Sequence, residues 1–103
     1  MHAVIADKKE ELAALCRRYD VAKLEVFGSA ARGEDFDPET SDADFLVEFR
    51  PTVRPRTLHQ YFDLKDALRD VLGRPVDLVE FGAVQNPYLR ASINKSRELV
   101  YAS

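Results

Sequence analysis

Two apolar periodicities alternate along this chain of 103 residues, and their order leaves few folds open. From about Ala3 to Tyr19, Ile5, Leu12, Leu15, Cys16 and Tyr19 fall near one face of a helix, with Lys8, Lys9, Glu11 and Arg18 off it. Asp20 closes that helix. Ala22 to Phe27 then alternates, with Leu24 and Val26 one way and Lys23, Glu25 and Phe27 the other, which predicts a strand. Gly28-Ser29 ends it, and Ser29-Ala30-Ala31-Arg32 reads as a short helical turn stopped by Gly33. Asp42 to Phe49 is a second strand, rich in Phe, Leu and Val. Thr57 with Gln60 three residues on is a capping-box signature. Leu58, Tyr61, Leu64, Leu68, Val71 and Leu72 follow at helical spacing, and Gly73 suits the helix end. Pro75 opens a third strand, Val76 to Glu80, a helix begins after Pro87, and Leu99-Val100-Tyr101 can form a last strand. Three or four short strands in a small mixed sheet, with helices packed on one face, make an α+β domain. The length suits one domain, residues 1–103.

The bulk numbers narrow the function. Hydrophobic residues make up 46% of the chain, enough for a modest core, and a domain this small leaves surface for a partner. The net charge of −3 argues against a direct nucleic-acid-binding surface, which normally carries a basic excess. It leaves a nucleotide open as a substrate. No apolar run approaches the ~20 residues of a membrane span, so no membrane role is expected. Cys16 stands alone and cannot form an internal disulfide, which makes the cytoplasm the simplest compartment.

Three features carry the chemistry: Gly28-Ser29 at a strand end, the pair Asp42 and Asp44 opening the next strand, and Asp77 inside the third. Residues two apart in a strand share a face, so Asp42 and Asp44 project together. Asp77 joins them if its strand lies beside theirs in a suitable register, which the sequence does not disclose. Clustered carboxylates repel one another and raise at least one pKa unless a cation is present. Hard oxygen ligands of this kind suit Mg²⁺, and a pair of such ions clamps an in-line displacement at phosphorus. Gly28 permits close backbone approach, Ser29 offers hydroxyl and amide donors, and Arg32, one turn on, could reach a phosphate oxygen.

Phe27-Gly28-Ser29-Ala30-Ala31-Arg32-Gly33-Glu34, Ser41-Asp42-Ala43-Asp44-Phe45-Leu46-Val47 and Pro75-Val76-Asp77-Leu78-Val79 occur in that order. This series resembles the motifs of minimal nucleotidyltransferases of the DNA polymerase β-like superfamily, and the resemblance spans nearly the whole chain. It implies that Gly28 and Ser29 hold the triphosphate of ATP, and that Asp42 and Asp44 ligate both of two Mg²⁺ ions. It implies that Asp77 ligates the catalytic ion and helps deprotonate the incoming hydroxyl. Arg32 matches the arginine of the motif. Many members sit in toxin–antitoxin pairs beside an all-helical HEPN ribonuclease. There the nucleotidyltransferase is the antitoxin and moves AMP from ATP onto a tyrosine hydroxyl of the toxin. The resemblance therefore implies a HEPN-family partner and a heteromeric complex.

Plainer readings stand beside these. An isolated Asp-x-Asp is more often a solvent-facing pair on a half-exposed strand, Asp77 alone would more often be a surface residue, and Arg32 could pair with Glu34 or Asp35. The acidic stretch Asp35, Asp37, Glu39 fails the EF-hand pattern, having no glycine at its sixth position. Cys16 is most simply a core residue, and Tyr61 and Phe62 fit helix packing better than base stacking. An antitoxin that works by contact alone is the alternative to an enzyme. A small-molecule nucleotidyltransferase of related core carries a further helical domain, for which 103 residues leave no room unless a dimer supplies that wall.

Overall fold

The computed structural model describes residues 1–33, 42–51 and 58–103. In chain order its elements are α1 (Ala3–Ala6), α2 (Lys9–Arg18), β1 (Val21–Phe27), α3 (Ser29–Arg32), β2 (Ala43–Phe49), α4 (Leu58–Leu72), β3 (Val76–Glu80), a 3₁₀ turn (Phe81–Ala83), α5 (Pro87–Ser96) and β4 (Glu98–Ala102). The four strands form one mixed sheet in the order β3-β2-β1-β4. β1 runs antiparallel to both β2 and β4, while β2 and β3 are parallel. Parallel neighbours cannot be joined by a hairpin, and α4 supplies the required crossover.

The alternation within each strand sorts the side chains. Leu24 and Val26 of β1, Phe45 and Val47 of β2, and Val76 and Leu78 of β3 enter the main core. α2 and α4 close over that face with Leu12, Cys16, Leu64 and Leu68, all fully buried. Burial in this apolar setting pushes the Cys16 thiol up to about 12, so it remains a neutral core group. The opposite face holds a smaller cluster of Phe27, Leu46, Val84 and Ile93, packed with Val79. α5 thus covers part of the second face, and Ile93 is its buried residue.

One expected helix is broken. The sequence pattern runs from Ala3 to Tyr19, but the chain turns at Asp7–Lys8 between α1 and α2. Residues 7–11 are all charged, so no apolar side chain anchors the intervening turn. His2 caps α1, its Nδ1 accepting from the Val4 amide at 3.1 Å. Ile5, Leu12 and Cys16 still reach the core from the two pieces.

α4 is tied at both sides. Gln60 Nε2 donates to the Tyr19 carbonyl at 2.6 Å, and the Tyr61 hydroxyl donates to the Leu78 carbonyl. Gly73 takes the left-handed conformation that ends the helix (φ +66°), and its amide donates to Arg69 O at 2.8 Å. Tyr61 packs against the core as expected, whereas Phe62 is 52% exposed and meets the Tyr61 ring edge-on. The Thr57 cap and the stretch Asp35–Glu39 lie outside the described residues. No described helix is long and apolar enough to cross a membrane.

Because Leu68 is fully buried where α4 meets the sheet, Leu68→Ala should destabilise the fold by about 2–5 kcal/mol. Urea denaturation followed by circular dichroism checks this; a loss within about 0.5 kcal/mol would show the interface between α4 and the sheet to be incidental.

Candidate active site

The register of β2 on β3 places Asp44 directly opposite Asp77. Ala43, Phe45, Val76 and Leu78 point into the main core, so the two aspartates share the other face. Asp42 lies two residues before Asp44, at the threshold of β2, and is exposed. Asp44 is half-buried and Asp77 exposed. The sheet thereby gathers the three aspartates picked out in the sequence at one end of one face.

The Gly28–Ser29 turn abuts this end. Phe27, the last residue of β1, is paired with Asp44. Gly28 follows with φ +69° and ψ −150°, a conformation that side chains rarely adopt. A Cβ at Gly28 would stand 2.7 Å from Asp44 Oδ2, so glycine is required by the close approach as well as by the backbone. The Gly28 carbonyl accepts from the Ala31 and Arg32 amides, both at 3.1 Å. Those bonds fold α3 and leave the hydroxyl and amide of Ser29 at the head of the turn. Gly33 closes it with φ +78°, its amide donating to Ser29 O at 2.8 Å. Ala30 and Ala31 are buried, and the Ala30 carbonyl accepts from the His2 amide at 2.8 Å. Small side chains at 30 and 31 therefore let α3 seat against the sheet.

A feature the sequence pattern did not disclose is Ser96. Its Oγ accepts the Gly28 amide at 2.9 Å across 68 residues of chain. Only the packing of α5 on the second face brings the two together, so no local motif could have marked it.

The electrostatics agree with the geometry. The Asp44 carboxyl is raised from 3.8 to about 6, first by burial, then by the charges of Asp77 and Asp42, with Arg32 opposing. Arg32 is exposed and its charge acts on Asp44, whereas its alternative partners Glu34 and Asp35 lie outside the described residues. The Tyr61 hydroxyl is also raised, first by burial and then by Asp77 and Glu80. Among the described residues, no three His, Cys, Asp or Glu side chains converge closely enough to hold a metal ion as they stand. The donor set nevertheless fits a hard divalent cation. It is all carboxylate oxygen, and Asp44 carries a charge that its surroundings disfavour.

Asp44 sets a pH dependence with a definite sign. Between about pH 4 and 6 the native protein holds this proton while the unfolded chain has lost it. The contribution to stability is fully present below about pH 4 and is lost as pH rises through about 6. Asp44→Asn should therefore stabilise the metal-free protein at pH 8, and by little at pH 4. Allowing for solvent screening at a half-buried group, the gain is on the order of 1 kcal/mol, or roughly 4–8 °C in a domain of this size. Thermal unfolding in chelator at the two pH values checks it; equal shifts at both would contradict the electrostatic origin.

Comparison with known proteins agrees with this arrangement. Residues 8–100 match the family described as nucleotidyltransferase domain. A candidate protein adenylyltransferase of Methanocaldococcus jannaschii is 46% identical over 87 residues, which cover 84% of this chain and 82% of that protein. The solved structure of a candidate minimal nucleotidyltransferase is 35% identical, covers 95% of each chain and superposes with a TM-score of 0.74. One chain in the complex of a tri-AMPylated Shewanella oneidensis HEPN toxin with its MNT antitoxin shares the fold, with a TM-score of 0.66 at 16% identity over 96% of this chain and 73% of that one. With the motif order, the sheet register and the match over 8–100 in agreement, the chain belongs to the nucleotidyltransferase domain family and is a nucleotidyl-transferring enzyme.

Proposed function

We propose that the protein transfers AMP from ATP to a tyrosine hydroxyl of a HEPN-family toxin and so acts as an antitoxin. The observation that carries the chemistry is the pairing of Asp44 with Asp77 beside the Gly28–Ser29 turn. The protein as acceptor is supported by the M. jannaschii relative, and the HEPN partner by the fold shared with the MNT antitoxin.

In the reaction the acceptor oxygen forms a bond to the α-phosphorus of ATP, and the bond from that phosphorus to the bridging oxygen of the β-phosphate breaks. Pyrophosphate leaves with the electron pair. Ser29 offers its hydroxyl and amide to the triphosphate, and Gly28 lets the chain pass close to it. Arg32, whose charge already acts on Asp44, offers a cation to a phosphate oxygen. Asp42 and Asp44 would hold two Mg²⁺ ions and Asp77 one of them, and bound Mg²⁺ supplies charge neutralisation at the α-phosphate and the departing pyrophosphate. On this reading Asp77, the more open member of the strand pair, receives the proton of the incoming hydroxyl. The cytoplasm, where ATP and Mg²⁺ are at hand, is the compartment this reading assigns.

A contact-only antitoxin is the second reading. Exposed apolar side chains on the 3₁₀ turn and α5, namely Phe81, Tyr88 and Leu89, offer a surface for binding without chemistry. The two readings separate in one assay. With α-labelled ATP, Mg²⁺ and the co-produced product of the neighbouring gene as acceptor, label should pass to that protein. It should fall to background with Asp42→Asn/Asp44→Asn, while the complex persists. A stable complex that takes no label even with the native aspartates would sink the transfer reading and leave the contact-only one.

A further inference from the structure

The Gly28–Ser29 turn does not hold its shape unaided. Gly28 sits at φ +69° and ψ −150°, a region open to glycine but one of many it can visit, so its surroundings must select this conformation. One fixing contact is plain: the Gly28 carbonyl takes the α3 amides. The other comes from the far end of the chain. The Gly28 amide, partly buried, donates to Ser96 Oγ at 2.9 Å. The Ser96 hydroxyl turns its own proton toward Ser92 O at 3.4 Å, which leaves an oxygen lone pair directed at Gly28.

The last turn of α5 is itself anchored. The Arg97 amide donates to Ile93 O at 2.8 Å, and Ile93 is buried in the second-face cluster. Arg97 Nε lies 3.4 Å from Glu25 Oε2, and Lys23 Nζ lies 3.3 Å from Glu25 Oε1. Glu25 is only 6% exposed, so this is a fixed point on β1 and not a loose surface pair. Ser96 is therefore presented from a rigid support.

We propose that Ser96 is a positioning residue for nucleotidyl transfer, its hydroxyl holding the Gly28 peptide so that the phosphate cradle stays seated against Asp44. The assignment rests on the nucleotide reading of the Gly28–Ser29 turn given above. Without the hydroxyl, a partly buried amide loses its acceptor and Gly28 loses one of its two restraints. The turn then shifts relative to a carboxylate that already leaves no room for a Cβ. Ser96 touches neither the phosphates nor the acceptor in this scheme and acts through Gly28 alone.

The test uses the full chain with Ser96→Ala and Ser96→Thr. Amide exchange at Gly28, followed by NMR, reports the hydrogen bond without any ligand. Calorimetric titration with Mg-ATP reports the cradle. Ser96→Ala should exchange the Gly28 amide about tenfold faster and bind Mg-ATP about tenfold more weakly. Its unfolding midpoint should fall by no more than the several degrees that one lost hydrogen bond costs, leaving the protein folded at the assay temperature, and Ser96→Thr should restore both readouts. In a transfer assay the loss should fall on the KM for ATP and not on kcat. Native Mg-ATP affinity in Ser96→Ala overturns the assignment, as does a loss that tracks global destabilisation and is not rescued by threonine. If the native protein fails to bind Mg-ATP while Gly28 exchange still depends on Ser96, the underlying nucleotide reading is what falls.

Discussion

The parallel pairing of β2 with β3 is the constraint on which the site depends. Its ladder begins with the Ala43 amide donating to Pro75 O at 3.1 Å and runs with Asp44 against Asp77. A one-residue slip would turn Asp77 into the core and bring Val76 or Leu78 out. The apolar alternation of β3 forbids that slip, because Val76 and Leu78 belong to the same core as Phe45 and Val47. Hydrophobic burial thus sets the register, and the register sets the carboxylates. α4 enforces the same arrangement, since it bridges the two strands and bonds β3 through the hydroxyl of Tyr61.

The site works against the stability of its own scaffold. Asp44 is half-buried beside two like charges, with its carboxyl raised to about 6. Gly28 occupies a backbone conformation closed to most residues, and its Cα lies where a methyl would strike Asp44. Natural folds tolerate such features where function requires them. Here the main core on the other face of the sheet, with Leu24, Phe45, Leu64 and Leu68 fully buried, offsets them. The two faces divide the labour: one is apolar and continuous, the other carries charge and a smaller cluster under α5.

Much of this was legible in the residues. The strand at 76–80 and the helix from Leu58 to Leu72 fall where the periodicity and the flanking Gly73 and Pro75 put them. The Gly28–Ser29 turn, α3 and its Gly33 stop follow from local chemistry and form as expected. The break at Asp7–Lys8 was hidden because helical spacing continues across it; a charged run can leave a helix without denying its face. The register of Asp77 and the contact of Ser96 with Gly28 were not legible, because each joins residues far apart in sequence. No local pattern encodes which strand neighbours which, or where a terminal helix comes to rest.

On the proposed function, Asp44 and Asp77, paired across β2 and β3, share a divalent cation with a bound nucleotide. Mn²⁺ binding, followed by the relaxation of water protons in the presence of a non-hydrolysable ATP analogue, tests this most directly. The native protein should show a strong relaxation enhancement that Asp77→Asn largely removes while the protein stays folded. No enhancement in the native protein, or an enhancement indifferent to Asp77→Asn, would contradict it.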